Sequence, residues 1–357
     1  MKALRYLAGP EARARIAREG LQPEAIAGVG AAAGGPKGLA FLGLDAWLFH
    51  HWLPAAPRAR RLVGASIGAW RMAAAIHPDG AAATRRLGEA YLERQRYPLR
   101  PSPRQVQDTC REIVEAMLGD PSRFVNAGHS AHSLEVITAR GLGALGRRVS
   151  PATLIRPVLA NLRARTALGA HLQRVVFTRG DTQPVLWPTD RFDTRHVALS
   201  ATNAVAALLA SGTIPLIAAP VREIEAAPPG TYFDGGLVDY HLHLPWNRLQ
   251  GIALLPHFTP FLTPGWLDKT LPWRKRGPRG IQPGLANVLL VTPSAALLAR
   301  LPHGRLPDRS DFKRHGLNHD RRLQDWRRAM AECEAMVEDF ASFVRHPDPA
   351  RLEPLGA

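Results

Sequence analysis

The residues of this chain best placed to do chemistry are Gly64-Ala65-Ser66-Ile67-Gly68. They follow the apolar run Arg61-Leu62-Val63 and precede the helix-forming stretch Ala69-Trp70-Arg71-Met72-Ala73-Ala74-Ala75-Ile76. A strand, a tight turn and a helix are the setting in which Gly-x-Ser-x-Gly exposes a serine hydroxyl. Gly64 and Gly68 leave space for the turn, and a helix starting at Ile67 aims free backbone N–H groups at the hydroxyl. Ser66 is thus a candidate nucleophile for acyl transfer.

A second glycine cluster, Gly28-Val29-Gly30-Ala31-Ala32-Ala33-Gly34-Gly35-Pro36-Lys37-Gly38, also lies between a strand and a helix. Gly28-x-Gly30-x-x-Ala33 fits a dinucleotide fingerprint, which calls for an acid about 20 positions later at the end of the second strand. From Gly38 to His77 the only acid is Asp45, inside the following helix, so a nucleotide is not expected. Two uses of the cluster stay open. In one, Gly34, Gly35 and Gly38 bring backbone N–H groups to a developing oxyanion while Lys37 adds positive charge or orients the loop; in the other, the cluster is a structural turn.

A serine nucleophile needs a base. Thr231-Tyr232-Phe233-Asp234-Gly235-Gly236 places a carboxylate where a strand gives way to two small residues, so that a second backbone can pass close by. Asp-Gly is equally a common hairpin pair. His241, His243 and His257 follow Asp234 in the Ser…Asp…His order of α/β-hydrolases. An imidazole suits neutral pH better than a carboxylate of ordinary pKa, about 3.9, although burial beside Ser66 raises that value. His241-x-His243 also has the look of a metal pair, but no third ligand accompanies it, so no metal is expected. His303, His315 and His319 read as loop or helix-cap residues.

Apolar runs alternate with helical patterns in the manner of an α/β fold. Strands are expected at Glu24–Gly28, Arg61–Val63, Leu134–Thr138, Arg174–Thr178, His196–Leu199, Val221–Ile224, Thr231–Phe233, Ile252–Leu255 and Val288–Val291. Pro228-Pro229-Gly230 between two short strands predicts a hairpin, and therefore a mixed central sheet flanked by helices. Helices are expected at Lys37–Trp52, Ile67–Ile76 and Arg104–Leu118. A last one, Asp320–Val344, has an apolar stripe from Leu323 to Val344 that reads as core packing. A single domain is expected, with an N-terminal segment over 1–23 and a basic, loop-rich C-terminal extension over 258–357 whose terminal helix packs on the core.

The 357 residues are 46% hydrophobic, which excludes disorder and a small stapled scaffold. Two cysteines, Cys110 and Cys333, make neither a disulfide framework nor a metal knuckle and fit a reducing, cytoplasmic setting. Charges at Lys2, Arg5, Glu11 and Arg13 interrupt any signal-peptide core. Val197–Val221 carries no charge, but its serines, threonines and prolines suit a buried helix and turn better than a membrane span. The formal charge is +16, from 41 arginines and five lysines. Such arginine excess also follows from GC-rich codons, yet the stretch Asp268–Arg328 alone holds 14 basic residues against five acids. No zinc-finger, helix-turn-helix or RNA-binding signature accompanies them, so nucleic acid is not expected; an anionic membrane surface is, with Trp266, Leu267, Leu271 and Trp273 at the interface.

Gly34-Gly35-Pro36-Lys37-Gly38, Gly64-Ala65-Ser66-Ile67-Gly68 and Asp234-Gly235-Gly236, in that order, resemble the motifs of the patatin-like phospholipases. Ala207-Leu208-Leu209-Ala210-Ser211-Gly212-Thr213-Ile214-Pro215 is similar to that family's helix and Ser-x-x-x-Pro turn. The likeness spans about Glu24 to His257 and implies an acyl-hydrolase domain over 24–257. It implies an α/β fold and a Ser–Asp dyad without histidine that hydrolyses lipid acyl esters, with no cofactor. Ser66 would be the nucleophile and Asp234 the base; Gly34, Gly35, Lys37, Gly38 and the Ile67 N–H would form the oxyanion region. The family's three-glycine run begins here with Ala33. Two other functions stay open: acyl transfer of the malonyl-carrier type, which uses a histidine partner and an arginine, and non-catalytic membrane or nucleic-acid binding on the same fold.

Overall fold

The computed structural model describes residues 2–126, 132–180, 186–187, 190, 192–275 and 283–356. Its strands are β1 (Leu4–Ala8), β2 (Ile26–Ala31), β3 (Arg61–Ala65), β4 (Ser133–Gly141), β5 (Leu172–Arg179), β6 (Thr194–Ala198), β7 (Val221–Arg222), β8 (Thr231–Asp234), β9 (Ile252–Pro256), β10 (Val288–Pro293) and β11 (Leu352–Pro354). They form one 11-stranded sheet in the order β11-β1-β10-β9-β2-β3-β4-β5-β6, with β8 paired to β4 and β7 to β8. The sheet is mixed, as expected. The run β10-β9-β2-β3-β4 is parallel, whereas β1/β10, β4/β5, β4/β8 and β7/β8 are antiparallel.

The parallel strands are buried on both faces, which is why they read as unbroken apolar runs. Successive side chains point to opposite faces and so feed two cores. Leu62, Leu254 and Leu289 belong to one, with the large helices; Val63, Leu255 and Leu290 belong to the other, covered by shorter turns. Strands appear at all nine expected places. β2 starts two residues late because Pro23–Ala25 is a 3₁₀ turn, which carries the strand further into the glycine cluster. The Pro228-Pro229-Gly230 hairpin forms between β7 and β8.

The two ends of the chain were not expected in the sheet, yet β1 lies between β10 and β11, so both segments outside 24–257 contribute strands to it. The expected helix Lys37–Trp52 is a succession of pitches: 3₁₀ over Gly35–Phe41, α over Leu42–Trp47 and π over Leu48–Trp52. The last helix is divided at Glu334 into His319–Cys333 and Ala335–Arg345; Glu334 keeps helical angles, so the apolar stripe continues and Leu323, Trp326, Cys333 and Phe340 are buried in the core. The charge-free run Val197–Val221 divides among the end of β6, the buried helix Ala204–Ser211 and a turn. Among the described residues, no helix is long and apolar enough to cross a membrane.

Candidate active site

Strand β4 acts as the ruler of the site. Its first half pairs with parallel β3, where Ala65 lies opposite Ile137. The second half pairs along the same edge with antiparallel β8, where Asp234 lies opposite Thr138. β3 and β8 therefore approach end to end, and the residue after Ala65 meets Asp234. The Ser66 hydroxyl donates a hydrogen bond to Asp234 Oδ2 at 2.7 Å, and both side chains are buried. Gly235 must pass against the β4 backbone, for a Cβ there would collide with the Ile137 carbonyl oxygen.

The turn at Ser66 is sharp. Ser66 has φ +57°, a conformation that non-glycine residues adopt at a cost of about 1–3 kcal/mol. Packing holds it there. A Cβ on Gly64 would lie 2.5 Å from Ala69 Cα, and one on Gly68 would run into the Ala31 carbonyl. Ser211 clamps the turn from a third element: its hydroxyl accepts from the Ser66 N–H at 2.9 Å and donates to the Ile137 carbonyl at 2.7 Å. Two residues on, the Thr213 carbonyl accepts the Asp234 N–H at 2.7 Å. The Ser66 helix, Ile67–Ala75, is itself anchored by Arg71, whose buried guanidinium bonds both oxygens of Asp45 at 2.7 and 2.8 Å. Asp45, the only acid between Gly38 and His77, is thereby engaged.

The glycine loop lies against this turn. A Cβ on Gly38 would be 2.6 Å from Ile67 Cγ1, so loop and helix start are in contact. Ile67 opens its helix and Gly35 opens the 3₁₀ segment, and amides at those positions have no intrahelical acceptor. Pro36 has no N–H to offer. Gly34 is the cap residue before them and packs under the Phe258 ring. Ala33, standing where the resemblance expects a third glycine, donates its N–H to the Tyr240 carbonyl at 3.0 Å. Its methyl faces Gly236, where an added Cβ would be only 3.0 Å away, so the bulk at 33 is matched by its absence at 236. The Gly236 N–H donates to Asp234 Oδ1 at 2.7 Å, giving the carboxylate its second partner.

Burial raises the Asp234 pKa, while positive charge from Arg309 and the hydrogen bonds from Ser66 and Gly236 oppose that rise. Arg309 belongs to the C-terminal region, and its guanidinium Nε lies 3.0 Å from where a Cβ on Gly35 would stand. Lys37 forms an ion pair with the neighbouring Asp308, whose carboxyl is held well below its usual pKa. That bridge fixes the rim loop bearing Arg309. Ser66, Asp234, Ala33, Gly34, Lys37 and Arg309 line one open pocket with Ile214, Pro215, Leu237, Tyr240, Trp266, Lys269 and Asp308; its cavity volume is about 100 Å³.

Among the described residues, no imidazole holds the Ser66 hydroxyl. His241 Nδ1 accepts from the Thr263 N–H at 2.9 Å, and His257 Nδ1 is engaged with Thr259. Both rings are buried edge to face, 4.4 Å between centroids, and burial lowers their pKa, that of His257 to about 4. They are neutral packing groups at pH 7. A convergent metal-type set among the described residues is His303, His315 and Asp325 instead, with His303 Nε2 3.0 Å from Asp325 Oδ2. Arg314 and Arg321 crowd the same group, which disfavours a dication there.

Arg309, Asp308 and the clamping role of Ser211 were not read from the sequence. Ser211 had a signal, the Ser-x-x-x-Pro turn; Asp308-Arg309 sits in an unremarkable loop, and only the fold brings it to the pocket. Compared with known proteins, the sequence matches no family model and no curated relative.

Proposed function

We propose that this protein is a serine ester hydrolase of lipid acyl groups, working through Ser66 and Asp234 in the manner of the patatin-like phospholipases. One observation carries the proposal: the 2.7 Å hydrogen bond from the Ser66 hydroxyl to a buried carboxylate at the base of an open pocket. Asp234 takes the hydroxyl proton as Ser66 Oγ attacks the ester carbonyl. The tetrahedral oxyanion is received by the N–H groups of Ile67 and the glycine loop, each supplying about 3 kcal/mol of transition-state stabilisation. Collapse expels the alcohol, which leaves with the proton from Asp234. Water then gives a proton to Asp234 and attacks the acyl-enzyme, and that proton returns to Ser66 as the acid is released. The raised pKa of Asp234 supports direct proton acceptance, because a buried carboxylate is a stronger base than a solvated one.

A second function, acyl transfer of the malonyl-carrier type, has one observation in its favour. Arg309 puts a guanidinium beside the same pocket, suited to a substrate carboxylate. That mechanism also calls for a histidine on the serine, and the Ser66 hydroxyl bonds Asp234 instead. The test is intact-mass analysis after treatment with a lipid-like fluorophosphonate. A single adduct is expected on the wild-type chain and on His241→Ala, and none on Ser66→Ala. Loss of the adduct in His241→Ala would favour the transferase, and no adduct on the wild type would leave a non-catalytic binder.

A further inference from the structure

The helix Pro151–Arg163 leaves its apolar side in water. Ile155, Val158, Leu159 and Leu162, spaced as one helical face, are 55, 39, 58 and 47% exposed, while Pro157 and Asn161 are its only fully buried residues. Close by, Trp273 is 68% exposed. The two are joined through one buried carboxylate. Asp268 accepts from Asn161 at 2.9 Å and pairs with Arg274 and Arg165, and Arg274 also donates to the Asn161 carbonyl at 2.6 Å. Asp268 lies on the 3₁₀ turn Trp266–Thr270, whose Trp266 and Lys269 line the Ser66 pocket. On another side of that pocket, Leu216 and Ile217 follow the lining residues Ile214 and Pro215 and are also exposed.

Charge says what this apolar surface meets. Between Glu135 and Asp181 the chain has eight arginines and no acid or lysine. Arg147, Arg148, Arg156 and Arg163 are exposed and, among the described residues, have no carboxylate partner. Arg156 and Arg163, seven apart, flank the aliphatic stripe along one edge. In a twofold contact between two copies, the same arginines would face each other and repel. Aliphatic side chains beside arginines whose stems can lie along them, with a tryptophan at the margin, match the boundary of an anionic bilayer.

We propose that the helix Pro151–Arg163 and the turn bearing Trp273 form a docking platform for an anionic lipid bilayer, tied through Asp268 to the mouth of the Ser66 pocket. The platform gives the proposed lipid hydrolysis its substrate surface and rests on that reading for its purpose; the docking itself is measurable without catalysis. It places most of the membrane contact outside the basic stretch Asp268–Arg328, from which the turn bearing Trp273 joins; the acids of that stretch are each paired, Asp268 with Arg165 and Arg274, Asp308 with Lys37, Asp311 with Arg305, Asp320 with Arg96 and Asp325 with Arg321. Positions 276–282 of that stretch lie outside the described residues.

The experiment is flotation of the full chain with phosphatidylglycerol/phosphatidylcholine vesicles and with pure phosphatidylcholine vesicles, at low and high salt. Hydrolysis of a soluble short-chain ester is run alongside. The wild type is expected to float with the anionic vesicles and less so at high salt. The double variant Ile155→Ser/Leu159→Ser is expected to bind about tenfold more weakly or worse, while its thermal melt and soluble-ester rate stay unchanged. Brominated lipids are expected to quench wild-type tryptophan fluorescence more than that of Trp273→Phe. Equal flotation of wild type and double variant, or no flotation of the wild type, overturns the platform. So does a wild-type dimer, seen by sedimentation velocity, that the double variant dissociates. Vesicle binding with no hydrolysis of any ester would retire the enzyme and leave the platform standing.

Discussion

The Ser66 site and the helix Pro151–Arg163 treat water in opposite ways. Around Ser66 the polar groups are buried and matched: Asp234 has the Ser66 hydroxyl and the Gly236 amide, and the Ser66 amide has Ser211. Along Pro151–Arg163 the apolar groups are the ones left in solvent, and the arginines beside them have no acid partner among the described residues. A matched polar site is costly to disturb, because each partner removed leaves a buried group unsatisfied. An exposed apolar stripe is cheap to disturb as far as folding goes, since its residues contribute little to the core. Side chains that matter for the fold and side chains that matter only when something else arrives are thereby separated in space.

Replacing the reacting groups is the strongest way to sharpen that contrast. Ser66→Ala is expected to lower ester hydrolysis by on the order of 10⁴-fold or more, and to cost about 1–2 kcal/mol by urea denaturation because buried Asp234 loses its hydroxyl partner. Asp234→Asn is expected to lose about 10³-fold or more and yet to melt no earlier, and at neutral pH later, than the wild type. A carboxyl whose pKa is raised on folding stabilises the fold below its unfolded pKa, and that contribution is lost as pH rises through the folded value. Asparagine has no such loss. A clear drop in melting temperature at neutral pH for Asp234→Asn would show that the carboxylate is a structural anchor.

Next in size are the close backbone approaches. Gly235→Ala sets a methyl against the Ile137 carbonyl and is expected to cost about 3 kcal/mol or more by urea denaturation. An alanine there that leaves the urea midpoint unmoved would mean that β8 and β4 are not in this register. Ser211→Ala removes one clamp from the Ser66 turn and is expected to cost about 1–2 kcal/mol of stability and roughly tenfold in activity.

The pH profile probes the rim. The base must be ionised, so hydrolysis rises with pH through the Asp234 pKa, and this acid limb is expected above the ordinary carboxylate value of about 3.9. Arg309 favours the ionised form; Arg309→Ala therefore moves the limb to higher pH. A shift to lower pH would mean that the guanidinium does not act on Asp234. The smallest effect falls on the other region. Leu159→Ser is expected to stay within about 0.5 kcal/mol of wild-type stability, and a larger loss would place the stripe in the core after all.

Much of the Ser66 site was legible because its constraints are local. Gly64 and Gly68 announce a turn whose sterics exclude side chains, and Asp234-Gly235-Gly236 announces a strand end that another backbone must pass. Parallel strands buried on two faces, such as β3, β9 and β10, write themselves as short apolar runs. Strand β1 and the edge strand β11 were missed because a few residues at a chain end carry too little pattern to stand out. Arg309 left no trace at all: it acts across a loop pinned by the Lys37–Asp308 bridge, and neither partner predicts the other from spacing.

The sequence by itself determined the α/β class, the turn that presents Ser66, and the glycines that let backbones approach, since excluded volume and side-chain periodicity operate within a few residues. Only the tertiary structure decided that Ser66 meets Asp234, through neighbouring register positions on β4, and that the stripe of Pro151–Arg163 faces water rather than the core. Both depend on which distant segments pair, a choice made by the free energy of the whole sheet and not by any one stretch of it.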